Sequence, residues 1–353
     1  MSREWGIGIA GAGVIGRLHA GAIGQVDHAV VRAVSDPVEE AGRALAGANG
    51  AAWHANYEEM LARPDVDVVI LGTPSGLHAE QAALAAGAGK HIVTEKPMAT
   101  TVADIDRMIA ACREAGVTLA VIFQNRFSRE TRLLKRAIEA GLIGRPILGN
   151  AFVHWRRTAE YYAASGGWRG TWALDGGGAL MNQSIHTIDL LQWFIGPVTS
   201  VSGYAATLTH AIETEDTASA AVSLASGALG VIQGTTSGDH DRPVRVEIVG
   251  TAGRAVLENG RIAVWESDQS PRDDLLTAED EEQCRGWRPD EPFGDAHARQ
   301  LGAIFRALND GATAPVPGDE ARNAVDIILG IYESAHTGQR VDLTLQREAL
   351  AHR

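Results

Sequence analysis

Apolar positions in the first third of the chain come in short continuous runs, each followed by a stretch of helical spacing. Trp5 to Ala10, Ala29 to Val34, Val66 to Gly72, His91 to Thr94 and Val117 to Phe123 read as buried strands. Helices are expected between them, among them Arg17 to Gln25, Leu77 to Ala86 and Val102 to Ala115. Strand alternating with helix is the pattern of βαβ units and a parallel sheet. Beyond about residue 123 the pattern changes. After a helix over Arg129 to Ala140, strand-like runs follow at Ile147 to Trp155, Val198 to Thr207, Thr217 to Leu224, Gly227 to Thr236, Arg245 to Gly250 and Gly253 to Glu258. They are too closely spaced for helical crossovers and predict a mixed, largely antiparallel sheet. Residues 266–292 are acidic and irregular and read as a surface excursion, and Ala296 to Ala307 and Glu320 to Thr337 return to helix. The expected division is an α/β domain over residues 1–123 and an α+β domain over 124–353.

Composition narrows the classes of partner. With 353 residues, 45% hydrophobic and 21% charged, the chain is an ordinary globular protein with room for two cores. A formal net charge of −13 disfavours nucleic acid and anionic membranes, which need a basic face. No apolar stretch reaches the length of a membrane span. Cys112 and Cys284 are the only cysteines, and the 12 histidines show no metal-ligand spacing, so neither disulfide nor metal is expected. The chain enters its first strand by residue 5, from which no leader and a reducing cytoplasm are expected.

The first strand runs into Gly11-Ala12-Gly13-Val14-Ile15-Gly16, and a helix follows. In this strand-turn-helix context the first glycine permits a tight bend, the second lets pyrophosphate approach the backbone, and the third lets helix and strand pack. Asp36 stands 20 residues beyond Gly16, at the end of the second strand, where an acidic residue holds the adenosine ribose and repels a 2′-phosphate. A dinucleotide, NAD rather than NADP, is therefore the expected cofactor. Thr73, Pro74, Glu95, Lys96 and Gln124 also fall at strand ends, where ligands bind in such sheets. Lys96, in Glu95-Lys96-Pro97, is the candidate charge beside the nicotinamide.

In the second domain the candidate chemistry is a helix opened by Gly176-Gly177-Gly178 and closed by Gly196-Pro197. Asn182, His186 and Asp189 are spaced four and three apart and are expected on one face. A histidine held by an amide and a carboxylate can be fixed in one tautomer and exchange a proton near neutral pH. It can equally be a core histidine satisfied by Asp189. The segment before the helix gathers Trp155, Arg156, Arg157, Tyr161, Tyr162, Trp168, Arg169 and Trp172 in a chain with 5% aromatics. Aromatic faces with guanidinium donors suit a sugar ring.

On these motifs, together with His78, Trp168-Arg169-Gly170 and Glu333 to Gly338, the chain resembles the glucose–fructose oxidoreductase, inositol dehydrogenase and MocA (Gfo/Idh/MocA) family over nearly its whole length. The resemblance implies a Rossmann domain, a second sheet that also mediates a homodimer or homotetramer, and hydride transfer on sugars or cyclitols. It implies catalytic roles for Lys96 and His186, with Asn182 where many members carry an aspartate. It also places His78, Trp168 and Arg169 at the cofactor. The substrate side is expected to comprise Lys96, Arg156, Tyr161, Trp168, Asn182 and His186. Met181-Asn182-Gln183 with His186 resembles members that act on sugar nucleotides and on free or anhydro sugars, often at carbon 3. Three further roles occur in such a family: nucleotide-sugar 3-dehydrogenase, glycosidase that retains NAD through transient 3-oxidation, and non-enzymatic sugar sensor.

Overall fold

A computed structural model describes residues 3–288, 290 and 295–343. The chain forms two compact units, one comprising residues up to Gln124 together with Asp295–Arg322, the other Asn125–Gly294 and the chain from Asn323 on.

In the first unit, β1 (Trp5–Ala10), β2 (Ala29–Ser35), β3 (Ala52–His54), β4 (Val68–Leu71), β5 (His91–Thr94) and β6 (Leu119–Val121) form one sheet in the order β3-β2-β1-β4-β5-β6. Every neighbouring pair is parallel. The order reverses at β1, and β1 and β4 flank the point where a ligand crevice forms outside the strand carboxyl ends. All six residues of β1 and all four of β4 are buried, as strands covered on both faces must be. The helix Val102–Ala115 shows its local logic clearly. Thr101 caps it by accepting the Asp104 N–H, and Gly116, in the left-handed conformation at φ 66°, ends it.

The helix Ala296–Asp310, which the sequence assigns to the second domain, belongs to the first unit. Its stripe Ala298, Leu301, Ile304 and Phe305 packs into the core formed by Ile7, Ile9, Val34 and Ile70. Gln300 finishes the edge strand β6, accepting the Phe123 N–H at 3.0 Å and donating to the Val121 carbonyl at 2.8 Å. Periodicity shows that a helix has an apolar face; it does not say which core takes that face.

The second unit holds eight strands: β7 (Pro146–His154), β8 (Val198–Ala206), β9 (Thr217–Leu224), β10 (Leu229–Thr235), β11 (Arg245–Gly250), β12 (Gly253–Glu258), β13 (Arg261–Ser267) and β14 (Val341–Asp342). Their order is β13-β12-β11-β7-β10-β9-β8-β14, antiparallel except for the β7–β10 pair. This is the mixed, mostly antiparallel sheet expected. Two parts of the region read as irregular are ordered. β13 pairs with β12 through Ser267, and Thr277 and Asp280 cap a short helix, Ala278–Gln283, reciprocally. No helix among the described residues is long and apolar enough to cross a membrane.

Candidate active site

Each unit carries its own cluster of the predicted residues. In the first, the three glycines of the turn do three different things. Gly11 has φ 94°, and a methyl there would lie 2.7 Å from the Gly72 carbonyl oxygen. A methyl on Gly16 would lie 1.9 Å from the Gly11 carbonyl oxygen, so only glycine lets the helix approach the turn. Around Gly13 a methyl would meet no atom within 4 Å. That open space faces the start of the helix Val14–Ile23, which has no side-chain cap and no acidic residue in its first turn. Free N–H groups and the positive dipole end suit phosphate. Asp36 sits beside the turn, its carboxylate accepting the N–H groups of Ala12 at 2.7 Å and Val38 at 2.8 Å. A carboxylate has about four acceptor sites, so ribose hydroxyls can still be served. Gln124, just beyond β6, has a buried side-chain oxygen with no hydrogen-bond partner among the described residues. These residues fit NAD.

Lys96 follows β5 and is half-buried between buried neighbours, joined to Pro97 by a cis peptide bond. Glu95 fixes its backbone: one carboxylate oxygen accepts the Lys96 N–H at 3.2 Å, and the other lies 2.8 Å from His19 Nε2 and 3.7 Å from His297 Nε2. Burial alone would push the Glu95 carboxyl up, but His19 and His297 hold it well below the usual carboxylate range. Although no metal was expected, the fold thus gathers three ligand-type side chains, the two histidines meeting at one buried oxygen of Glu95. The His19 contact has hydrogen-bond length and explains their proximity. His78 is 1% exposed, and its ring nitrogens each lie 2.9 Å from a backbone carbonyl, of Pro97 and of Thr73. A neutral ring donates to only one of the two, and in either tautomer His78 lies between the loops after β4 and β5 that carry Thr73 and Lys96. Thr73 and Pro74 are half-buried at the end of β4, with Thr73 Oγ1 donating to Gln81 at 2.5 Å.

In the second unit the glycine run leads into a π-helical turn, Ala179–Ser184, and then the α-helix Ile185–Ile195. From Asp175 to Gln192 every residue is buried except Asn182 and His186, which are half-buried. The two thus share an open face of a stretch that is otherwise enclosed as far as Gln192. Asp189 does not share it. Both of its carboxylate oxygens accept from Arg126, at 2.7 and 2.6 Å, and the pair is buried beside Trp193. Asn182 donates to Asp175 at 2.5 Å and accepts from Gln183 at 3.0 Å. Gln183 in turn donates to the Tyr161 hydroxyl at 2.7 Å and accepts from Arg157 at 3.0 Å. The network so ties the amide beside His186 to the aromatic–arginine segment. Arg169 stacks on Tyr161 and Trp168, at 4.9 and 4.8 Å from the ring centres. Arg156 is exposed and contributes its backbone N–H, to Asp241. A cleft of about 650 Å³, lined by Tyr162, Arg169, Thr171, His210 and Glu213 among others, lies beside this segment; Asn182 and His186 are not in its lining.

Residues 5–123 match the oxidoreductase family with an NAD-binding Rossmann fold, and residues 131–256 match the GFO/IDH/MocA C-terminal domain. The chain is 31% identical to the uncharacterized oxidoreductase YrbE of Bacillus subtilis strain 168, over 97% of this chain and 98% of the relative. The chain belongs to the Gfo/Idh/MocA oxidoreductase family. It is also 28% identical to the myo-inositol 2-dehydrogenase of Thermotoga maritima, over 92% and 93% of the two chains. The WlbA dehydrogenase from Bordetella pertussis, solved with NADH and UDP-GlcNAcA, is similar at 37% identity and a TM-score of 0.88, over 96% of this chain and 98% of that one.

This Gfo/Idh/MocA chain is an NAD-binding oxidoreductase, and one residue of its polar network, Asp175, was not singled out from the sequence. Asp175 and Gln183 hold Asn182, and Arg157 rather than Arg156 joins their network. Asp175 stands immediately before the glycine run, and Gln183 lies between Asn182 and Ser184. A polar residue next to a glycine run at a buried helix start is the only local signal that Asp175 gives.

Proposed function

We propose that this Gfo/Idh/MocA oxidoreductase oxidises a secondary alcohol of a sugar or cyclitol to a ketone, with Lys96 and His186 as the groups that handle the hydroxyl. The observation that carries the reading is the half-buried Lys96 at the end of β5, in the same unit as the NAD cradle. The Gly11–Gly16 turn, Asp36 and Gln124 would hold NAD, which when bound would supply the hydride acceptor for the alcohol carbon. Lys96 donates a hydrogen bond to the reacting oxygen and stabilises the negative charge that develops on it. His186 accepts the hydroxyl proton, directly or through Lys96, while Asn182 is kept from rotating by Asp175 and Gln183. The test is NADH formation by the purified protein across free sugars, cyclitols, anhydrosugars and nucleotide-sugars. Binding without turnover across the whole panel would make the chain a sensor. Cleavage of a glycoside without free NADH would make it an NAD-retaining glycosidase.

A nucleotide-sugar is the narrower reading that one finding favours: the likeness to WlbA, whose structure holds NADH and UDP-GlcNAcA, extends over nearly both chains. Arg169, stacked on two aromatic rings beside the 650 Å³ cleft, is suited to a diphosphate. On this reading nucleotide-sugars give the highest kcat/KM in the panel. The exposed Leu148 and Leu229, register partners on β7 and β10, support self-association through the open sheet face as a homodimer or homotetramer. Light scattering at micromolar concentration tests this.

A further inference from the structure

We propose that Glu215 is a positioning residue for the reaction, its carboxylate anchoring the first turn of the helix that presents Asn182 and His186. The proposal rests on the reading that His186 takes the substrate proton. Glu215 directly precedes Asp216 and β9, and is 3% exposed. One side-chain oxygen accepts the Gly178 N–H at 2.9 Å. The other accepts the Leu180 N–H at 2.7 Å and the Tyr332 hydroxyl at 2.8 Å. The backbone carbonyl of Glu215 takes the N–H between them, that of Ala179, at 3.0 Å. One residue, 35 or more positions away in sequence, thus receives three consecutive N–H groups at the helix start. Such groups have no partner within the helix. Leu180 lies two residues before Asn182, so a shift of this turn is carried directly to the open face.

Only the carboxylate serves all three donors. Once protonated, Glu215 brings a donor of its own among them, and one N–H or hydroxyl loses its acceptor. Burial pushes its carboxyl up to about 7, with the hydrogen bonds from Leu180, Gly178 and Tyr332 pulling the other way. The titratable groups facing it are Tyr332 and, through that tyrosine, Asp175; Asp216 turns instead to the N–H groups of Leu208, Thr209 and His210. Among the described residues no cation offsets the charge. A raised pKa in the folded state means that stability present below the ordinary carboxylate range is lost as pH rises through about 7. The ionised form therefore costs stability while it fixes the turn, which is the balance expected of a residue kept for activity.

The test compares wild type, Glu215→Gln, Tyr332→Phe and His186→Ala for kcat/KM, KM for NAD and melting temperature between pH 5 and 9. Glu215→Gln should lose at least about tenfold in kcat at pH 8 with KM for NAD unchanged. Its melting temperature should fall less between pH 5 and 8 than that of wild type. On the acid side the slope of log kcat/KM should drop from two protons to one. Tyr332→Phe, which removes one donor to the charged form, should move the Glu215 limb to higher pH. If Glu215→Gln keeps the wild-type kcat and pH profile while His186→Ala is inactive, the positioning role is overturned and the reading of His186 stands. If His186→Ala is fully active, that reading fails, and the anchoring role fails with it.

Discussion

Two glycine clusters, Gly11–Gly16 and Gly176–Gly178, each open a helix, yet they do opposite work. At Gly13 the missing side chain leaves space that nothing among the described residues fills, and the adjoining helix start has no side-chain cap of its own. At Gly178 the missing side chain lets the protein close on itself: a methyl would lie 1.9 Å from the Glu215 carbonyl oxygen. The helix start there is served from within, by Glu215. An unserved helix N-terminus is a place for a ligand, whereas a served one is a mount for side chains further along. The first cluster is the proposed seat of the dinucleotide; the second fixes the helix on which Asn182 and His186 stand.

The contrast can be tested by substitution. The largest effect belongs to Lys96, in the same unit as the first cluster. Lys96→Met should lower kcat by two to three orders of magnitude, about 3–4 kcal/mol, while NAD affinity by fluorescence titration stays near wild type. Next come the glycines themselves. Gly178→Ala should destabilise the fold by roughly 3 kcal/mol, because backbone rather than a mobile side chain stands in the way. Gly13→Ala, at φ −68° and with open space ahead, should leave the melting temperature of the unliganded protein unchanged and weaken NAD binding. If denaturation and titration give the reverse assignment, the comparison is wrong.

Asn182→Asp tests the mount more finely. Asn182 donates to the buried Asp175, so the substitution sets two carboxylates against each other, and one of them must hold a proton. The raised pKa of the pair means that stability is kept at low pH and lost as pH rises through it. Relative to wild type, the variant should lose about 2 kcal/mol between pH 5 and 8 in urea melts. The smallest effect concerns Asp36. NAD should be preferred over NADP by about tenfold, ~1.4 kcal/mol, and Asp36→Ala should narrow the gap in kcat/KM.

Much of this was legible in the sequence because it is local. Each strand of the first sheet except the short β3 shows as an apolar run, and the turn glycines and Asp36 keep a spacing set by one βα unit. The same holds for the pairing of Asn182 with His186 across one helical turn. What was not legible depends on partners brought together through space. Asp189 has helical spacing to His186 but answers to Arg126, 63 residues earlier. Asp175 supplies a carboxylate to Asn182, whose own position lacks one, and Glu215 reaches the helix start from another strand. The helix Ala296–Asp310 has a clear apolar stripe, but only the fold shows that the stripe completes the first unit's core.

As proposed, the chain moves a hydride from a sugar carbon to NAD and releases the reduced cofactor. The most direct measurement uses a substrate from the panel deuterated at the carbon to be oxidised, with mass spectrometry of the nicotinamide product. The account predicts free NADH carrying one deuterium for each ketone formed, and loss of that product in Lys96→Met. Unlabelled NADH, or substrate consumed with no NADH released, would contradict it.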